Sequence, residues 1–114
     1  LGVTFKANTD DMRDSSSLVM IPFLSKKGAL IKYYDPTGSK KELEKIKNVS
    51  YADSIKKAVE NSDLVILHTE WNDFKSINFK SLSKRKKFII YDMRNIYSSH
   101  KIKNQGFKYF SIGR

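Results

Sequence analysis

The sequence predicts an α/β fold built on a doubly wound parallel β-sheet of about five strands with flanking helices. Short apolar segments alternate along the chain with segments of helical spacing, in the order β-α-β-α-α-β-α-β-α-β. The apolar run LVIL at 64–67 has no polar interruption, which is typical of a strand buried on both faces of a parallel sheet. Right-handed crossover connections then place helices on both sides of the sheet.

The first half of the chain contains two predicted strands with a helix between them. Residues 1–5 (LGVTF) form the first strand, and residues 29–34 (ALIKYY) form the second. The helix starts at an N-cap within residues 14–16 and stops at Gly28, and Pro22 falls in its first turn or just beyond.

The second half alternates polar helical segments with apolar strands. The predicted elements are a polar helix at 39–47, a helix at 54–60 capped by Asp53, a strand at 64–67, a short helix at 79–85, a strand at 88–91, a helix at 98–104 that stops before Gly106, and a strand at 107–111.

Size and composition indicate a single folded domain, residues 1–114. The apolar fraction of 39% and the two prolines exclude a disordered chain. Because the chain has no cysteine, it has no disulfide, thiolate metal site or cysteine nucleophile.

No apolar run approaches the roughly 18 residues of a membrane span, and the first residues do not resemble a signal peptide. We therefore expect no membrane association, a cytoplasmic location, and a chain that begins inside a strand of something longer.

The net charge of +10 raises the question of nucleic-acid binding. However, 18 of the 22 basic residues are lysines, and they are scattered along the chain. Base readout and bidentate phosphate contacts favour the planar guanidinium of arginine. A solvated lysine surface is therefore the favoured interpretation, and we expect no nucleic-acid partner.

Ligands of doubly wound sheets bind outside the carboxyl ends of the strands. Four predicted strand ends carry polar or charged residues: Phe5 with Lys6, Asp35, the segment 68–71, and the segment 92–94. The loop after the first strand, FKANTDDMRDS, contains no glycine, which excludes an independent dinucleotide-binding domain of the G-x-G-x-x-G type. Asp35 and the following proline are read as a turn.

Other chemistries have weaker support in the sequence. The pair Asp10 and Asp11 could hold Mg²⁺, but a receiver-type site also needs an aspartate after the third strand, where this chain has His68. The simpler prediction is that both carboxylates pair with Arg13 and cap backbone amides before the helix. His68 and His100 show no metal-ligand spacing, so we predict no metal site, and no hydrolytic triad can be argued.

An anion site is the chemistry that remains. Lys6 and Arg94 each follow the end of a strand, and a helix begins near residues 15–17, where backbone amides and the helix dipole favour negative charge. A diphosphate or a carboxylate fits this arrangement. The alternative, in which both cations pair with neighbouring aspartates, stays open on these residues alone.

Several motifs together resemble one known family. The segments FKANTDDMRDSSS, YYDP, ADSIKKAVENSDLVILHTEWNDF, YDMRNIY and GFKYFSIGR occur in order over essentially the whole chain. They resemble the C-terminal, UDP-sugar-binding domain of the UDP-glucose 6-dehydrogenase (UDP-glucose/GDP-mannose dehydrogenase) family. The resemblance implies a Rossmann-like fold whose first strand is truncated here.

The resemblance also implies an activity for a longer protein. Family members use NAD to oxidise the C6 alcohol of a nucleotide sugar twice, through a cysteine-bound intermediate, as in the conversion of UDP-glucose to UDP-glucuronate. The NAD fold and the catalytic cysteine lie in N-terminal and central domains that this chain lacks, so the fragment alone is expected to be inactive. The full-length enzyme is expected to be a homo-oligomer.

Roles carry over only at matching positions. Phe5, Lys6 and Arg94 match substrate contacts of the family, and Arg13 matches an arginine on the cofactor side of the cleft. A UDP-N-acetylhexosamine or GDP-mannose dehydrogenase domain remains an alternative, as does a stand-alone module that binds nucleotide phosphates.

Overall fold

A computed structural model describes residues 1–112 and confirms the α/β fold. The elements are α1 (Ser17–Lys26), β1 (Ile31–Tyr33), α2 (Lys41–Glu44), β2 (Val49–Tyr51), α3 (Ile55–Val59), β3 (Leu64–Leu67), a 3₁₀ turn (Asn72–Phe74), α4 (Phe79–Leu82), β4 (Ile89–Asp92), α5 (Ser99–Asn104) and β5 (Tyr109–Ser111). The last two residues of the closing motif lie outside the described residues. Within residues 1–112, no helix is long and apolar enough to cross a bilayer.

All strand pairs in the described part of the chain are parallel. β1 pairs with β2, with Ile31 opposite Val49. β3, β4 and β5 form a second sheet in that order. Every connection between paired strands therefore crosses over, and the doubly wound arrangement predicted from the alternation of elements is confirmed.

The segment predicted as the first strand is not a regular strand, although it takes a strand's place. The backbone nitrogen of Leu1 donates a hydrogen bond to the Ile66 carbonyl oxygen at 2.6 Å, and the Leu1 carbonyl oxygen accepts one from the His68 N–H at 2.9 Å. Gly2 donates to the Tyr34 oxygen on the other side at 2.8 Å. The φ of +78° at Gly2 ends the extended conformation after one residue, which corrects the prediction of a strand over 1–5.

Residues 1–2 fill only part of the space between the two sheets. A cleft of about 940 Å³ opens beside them. It runs along β1 and along β3 from Leu64 to Ile66, and it is also lined by residues before both strands and by His68 after β3. The cleft therefore extends from the amino-terminal ends of these strands towards their carboxyl ends.

Three predicted helices differ from the structure at their ends. The helix predicted over 39–47 is four residues long and buries one side chain, Leu43, so packing stabilises little more than a single turn. The helix predicted over 79–85 ends at Leu82. The helix predicted over 54–60 is capped by the Ser54 hydroxyl, which accepts from the Lys57 N–H at 3.1 Å, and not by Asp53.

Strand β2 was not predicted. Its three residues, VSY, give too short a pattern to distinguish from a loop, and tertiary pairing with β1 decides their conformation. Helix α1 contains Pro22 within its length rather than in the first turn. The predicted stop at Gly28 is confirmed, because Gly28 has a φ of +93° and the next N–H returns to the Leu24 oxygen at 3.1 Å.

Two apolar clusters form the core. The larger lies around the three-stranded sheet and is rich in aromatic rings, among them Phe74 and Phe79. The smaller joins β1 and α1 to the N-terminal segment through Val3, Met12 and Ile21. The N-terminal segment is thus packed into the core of one half and hydrogen-bonded to the sheet of the other.

Asp35 anchors this segment at the carboxyl end of β1. The residue is 0% exposed, and one carboxylate oxygen accepts the N–H groups of Val3 at 2.9 Å and Thr4 at 3.3 Å. The other oxygen accepts the N–H and hydroxyl of Thr37 at 3.0 and 2.6 Å. The Gly38 N–H returns to the Asp35 carbonyl at 2.9 Å, so the predicted turn is confirmed.

Asp35→Ala should lower the free energy of unfolding by about 3–5 kcal/mol, because it leaves several buried N–H groups without an acceptor. Asp35→Asn should cost less, since one oxygen acceptor remains. Urea denaturation measures both. Asp53→Ala is the matched control: its carboxylate is exposed and pairs with Lys57 at 2.9 Å, so its loss should cost less than about 1 kcal/mol. Equal costs for Asp35→Ala and Asp53→Ala would contradict this role.

Candidate functional site

The site lies where the order of the strands reverses. With residues 1–2 counted as a first strand, the spatial order is β2, β1, the N-terminal segment, β3, β4, β5. The strands that follow in the chain are therefore added first on one side of this segment and then on its other side. In open parallel sheets, such a point leaves a crevice beyond the carboxyl ends of the central strands. Here the crevice is bordered by Thr4–Lys6 and by the residues that follow β3 and β4.

His68 is the central contact of this edge. It is 2% exposed, and its backbone N–H bonds the N-terminal segment. Its carbonyl oxygen accepts the Nε–H of Arg94 at 2.8 Å. The tip of β3 therefore holds the guanidinium that follows β4.

The hydrogen bonds around His68 assign its tautomer. The Thr69 hydroxyl donates to the Thr4 carbonyl at 2.8 Å, so it can only accept from the imidazole Nδ1, 3.0 Å away. Nδ1 therefore carries the proton. Nε2 carries none and accepts the Ser16 hydroxyl at 2.8 Å.

The Ser16 and His68 pair is not suited to nucleophilic catalysis. Burial, followed by the nearby positive charge of Arg94, lowers the pKa of His68 to about 4. An imidazole with this pKa is a weak base at pH 7, and its Nδ1 faces a threonine and not a carboxylate. The pair instead holds the start of α1 against the tip of β3.

Arg94 lies in a rigid turn. Asp92, which is fully buried, accepts the backbone N–H groups of Arg94 and Tyr97 at 3.0 Å each and the Tyr109 hydroxyl at 2.6 Å. The carboxylate thus binds the backbone of Arg94 and not its guanidinium. Within residues 1–112, Arg94 forms no ion pair. Among the hydrogen bonds of residues 1–112, the Arg94 side chain donates through Nε, and its two Nη groups suit a bidentate contact with an anion.

Lys6 and Phe5 follow the buried Thr4 and are exposed. The Phe5 N–H donates to the Asp11 carbonyl at 2.8 Å, which fixes the backbone, while 46% of Phe5 remains exposed. Lys6 has no ion pair with any residue of the described range. Neither cation forms an ion pair with an aspartate within residues 1–112, although the charge of Lys6 contributes to the lowered pKa of Asp11.

Arg13 pairs with Asp11 as a fork. The Arg13 Nε and Nη2 atoms lie 3.1 and 3.0 Å from the two carboxylate oxygens, and the Arg13 backbone N–H donates to the same group at 2.9 Å. These contacts lower the pKa of Asp11. The Arg13 side chain is 88% exposed, so it extends from the loop into solvent. The predicted pairing is confirmed for Asp11; Asp10 takes part in no ion pair among residues 1–112.

Two serines of the loop hydrogen-bond the backbone of the N-terminal segment. The hydroxyls of Ser15 and Ser17 both donate to the Val3 carbonyl at 2.6 Å. The N–H groups of Ser17, Leu18 and Val19 already have acceptors on Ser15 and Ser16. The prediction that the start of this helix supplies free amide donors is therefore wrong for these three groups.

The structure brings together some predicted residues and adds others. Arg94 and the Phe5–Lys6 segment are linked through His68 and Thr69, whereas Arg13 projects from a separate part of the loop. The sequence predicts no metal-ligand role for His68 and an N-cap within residues 14–16, and neither prediction includes the contact between His68 and Ser16. Their positions after β3 and before α1 were the signal in the sequence. No cluster of three or more metal-ligating side chains occurs in the described part of the chain.

Comparison with known proteins identifies the family. Residues 1–99 match the model of the UDP-glucose/GDP-mannose dehydrogenase family, UDP binding domain. The chain belongs to this family. The resemblance stated from the sequence motifs is thereby confirmed.

Relatives are similar along the whole chain. The UDP-glucose 6-dehydrogenase of Rhizobium meliloti (strain 1021) is 39% identical over 115 residues, which cover 100% of this chain and 26% of that protein. That of Rickettsia felis is 38% identical, with 99% of this chain and 26% of that protein covered. The chain thus spans about a quarter of the length of these relatives.

Solved structures share the fold. The UDP-D-ManNAc dehydrogenase from Pyrococcus horikoshii superposes with a TM-score of 0.76 at 33% identity, over 99% of this chain and 24% of that one. An NDP-N-acetyl-D-galactosaminuronic acid dehydrogenase from Methanosarcina mazei Go1 gives a TM-score of 0.82 at 24% identity, over 99% of this chain and 23% of that one. The second similarity shows the fold alone.

The low pKa of His68 predicts a loss of stability in mild acid. The folded pKa of about 4 lies below the ordinary value of 6.5, so the unfolded chain takes up the proton first as the pH falls. This contribution is complete above pH 6.5 and is lost towards pH 4. We expect His68→Gln to remove a pH-dependent part of the unfolding free energy on the order of 3 kcal/mol.

The measurement is urea denaturation between pH 4 and pH 7, compared between wild type and variant. His100→Gln is the control, because His100 is exposed and bonds only Asn104 on its own helix in the described structure. The same pH slope in wild type and His68→Gln would contradict the prediction.

Proposed function

We propose that the chain is the UDP-sugar-binding domain of an NAD-dependent UDP-glucose 6-dehydrogenase, which oxidises UDP-glucose to UDP-glucuronate. The observation that carries the proposal is the pair of cations without ion-pair partners in residues 1–112, Lys6 and Arg94, at the crevice edge of a chain that matches a UDP binding domain. The names of the relatives support the choice of substrate. The fragment alone is inactive, and the remaining domains of the enzyme complete the active site in a cytoplasmic homo-oligomer.

Each proposed substrate contact has a physical role. The Nη groups of Arg94 suit two oxygens of a diphosphate, because a guanidinium fork matches that geometry and His68 already fixes its orientation. Lys6 adds a second positive charge close to the sugar or the diphosphate. Phe5 offers an exposed aromatic face beside it.

This chain does not itself hold the NAD. In dinucleotide-binding domains an acidic residue after the second strand binds the ribose. Asp35 occupies the comparable position here, but it is buried and accepts four hydrogen bonds from the protein. The residues present therefore do not fit an independent NAD site. The one NAD contact that we propose from this chain is Arg13, whose side chain is largely exposed.

A related nucleotide sugar is the second candidate substrate. The similarity to the structure named UDP-D-ManNAc dehydrogenase, at 33% identity, favours a UDP-N-acetylhexosamine in particular. The diphosphate contacts proposed for Lys6 and Arg94 would be the same for either sugar. Steady-state assays of the full-length enzyme with both sugar nucleotides separate the two candidates.

Arg94→Ala in the full-length enzyme should weaken UDP-glucose binding by about 10- to 100-fold, as expected for the loss of a charge-assisted contact. Lys6→Ala should have a smaller effect of the same sign. Isothermal titration calorimetry measures the dissociation constants. Lys101→Ala, an exposed lysine on α5, is the control for the loss of one positive charge. If Arg94→Ala binds UDP-glucose as tightly as Lys101→Ala does, the assignment of the site is wrong.

Arg13→Ala tests the proposed cofactor contact. We expect the KM for NAD to rise severalfold while the KM for UDP-glucose stays unchanged, because Arg13 lies apart from the chain of contacts that orients Arg94. Initial-rate kinetics of the full-length enzyme measure both constants. Arg85→Ala, at an exposed arginine, is the control. A rise in the KM for UDP-glucose alone would place Arg13 on the substrate side instead.

A further inference from the structure

The two proposed substrate cations lie on different segments of the chain, yet three hydrogen bonds, two of them buried, connect Arg94 to the backbone near Lys6. Arg94 donates Nε–H to the carbonyl of His68, and the His68 ring donates Nδ1–H to the Thr69 hydroxyl. Thr69 donates in turn to the carbonyl of Thr4, two residues before Lys6. The positions of both cations therefore depend on the geometry of residues 68 and 69.

Thr69 is the link that both sides share. It is 1% exposed, and its single hydroxyl proton is used on the Thr4 carbonyl, which leaves the oxygen to accept from His68. The Gly2 backbone also hydrogen-bonds the ring, so Thr69 is the side-chain partner of Nδ1 within residues 1–112. Without this hydroxyl, the ring loses its side-chain partner at Nδ1 and keeps the contact with the Gly2 backbone.

The second ring nitrogen extends the effect to the start of α1. Nε2 accepts the Ser16 hydroxyl at 2.8 Å, which requires that Nε2 carries no proton. If the proton moved from Nδ1 to Nε2, the ring would become a donor towards Ser16. The Thr69 hydroxyl therefore also affects the direction of the hydrogen bond between His68 Nε2 and the Ser16 hydroxyl.

The backbone around Thr69 has little room to adjust. A Cβ on Gly2 would lie 2.7 Å from the Thr69 Cβ and 3.1 Å from its backbone nitrogen, so the two segments are already in close contact. The same segment is held by the bonds of Leu1 to β3. Direct contact with Gly2 therefore couples Thr69 to the N-terminal segment, in addition to the hydrogen bond of its hydroxyl to Thr4.

We propose that Thr69 is a positioning residue for UDP-sugar binding: its hydroxyl sets the tautomer and orientation of His68, and thereby the relative placement of Arg94 and the Phe5–Lys6 segment. This inference rests on the proposed function of that crevice. Thr69 itself contacts no substrate. Its effect reaches the ligand through Arg94 on one side and through the Thr4 carbonyl on the other.

The first experiment measures steady-state kinetics of the full-length enzyme with Thr69→Val and Thr69→Ser. Valine keeps the shape and removes the hydroxyl, and we expect the KM for UDP-glucose to rise about 10-fold while kcat changes less than about 2-fold. Serine retains the hydroxyl and should restore the KM. Ser83→Ala is the matched control, because it removes another buried hydroxyl that donates to a backbone carbonyl, away from the crevice.

The second experiment reads the tautomer directly and does not depend on a variant that folds well. Nitrogen chemical shifts of ¹⁵N-histidine-labelled full-length enzyme should show His68 protonated on Nδ1 in the wild type. Thr69→Val should show a mixture or the Nε2–H form, and Thr69→Ser should resemble the wild type. An Nε2–H tautomer in the wild type would overturn the proposal, as would a KM for Thr69→Val equal to that of Ser83→Ala.

The two proposals fail in different ways. If Arg94→Ala leaves UDP-glucose binding unchanged, the proposed function of the crevice is wrong. If Arg94→Ala weakens binding but Thr69→Val does not, the crevice is correct and the positioning role of Thr69 is wrong. A loss that Thr69→Ser fails to restore would also overturn it, since the loss would then come from packing and not from the hydroxyl.

Discussion

Hydrogen bonds from the N-terminal segment connect the two parallel sheets of this domain. Leu1 bonds β3, Gly2 bonds the residue after β1, and the next two N–H groups share one oxygen of Asp35. No strand of one sheet pairs with a strand of the other in the described structure, so these bonds, together with apolar contacts such as that of the Tyr34 and Phe74 rings, join the two halves. The crevice lies at that junction, and its shape depends on them.

In the loop after this segment, some polar and charged side chains bind other groups of the protein and others remain exposed. Ser15 and Ser17 bind the Val3 carbonyl, and Asp11 binds Arg13. Lys6 is left without an ion pair among residues 1–112, and the Arg13 side chain remains largely exposed despite its partner. The loop therefore neutralises some of its charges within the protein and leaves others exposed.

Asp35 and Asp92, at two of the four polar strand ends, are fully buried, which explains why these two carboxylates are not themselves ligand groups. Asp35 and Asp92 each accept several hydrogen bonds from backbone N–H groups of their own turns and of adjacent segments. Such carboxylates stabilise the turns that carry neighbouring residues. Phe5, Lys6 and Arg94 are exposed at this edge, and they are the positions where the family resemblance implies substrate contacts.

The sequence by itself determined the fold class, most strands and the edge that carries the site, because apolar alternation and the carboxyl-end rule are local patterns. It could not predict β2, whose three residues become a strand only through pairing with β1, nor that Gly2 ends the extended segment. It also could not show that His68 joins Ser16, Thr69 and Arg94. Those contacts link residues 26 to 52 positions apart or depend on a tautomer, so only tertiary packing decides them.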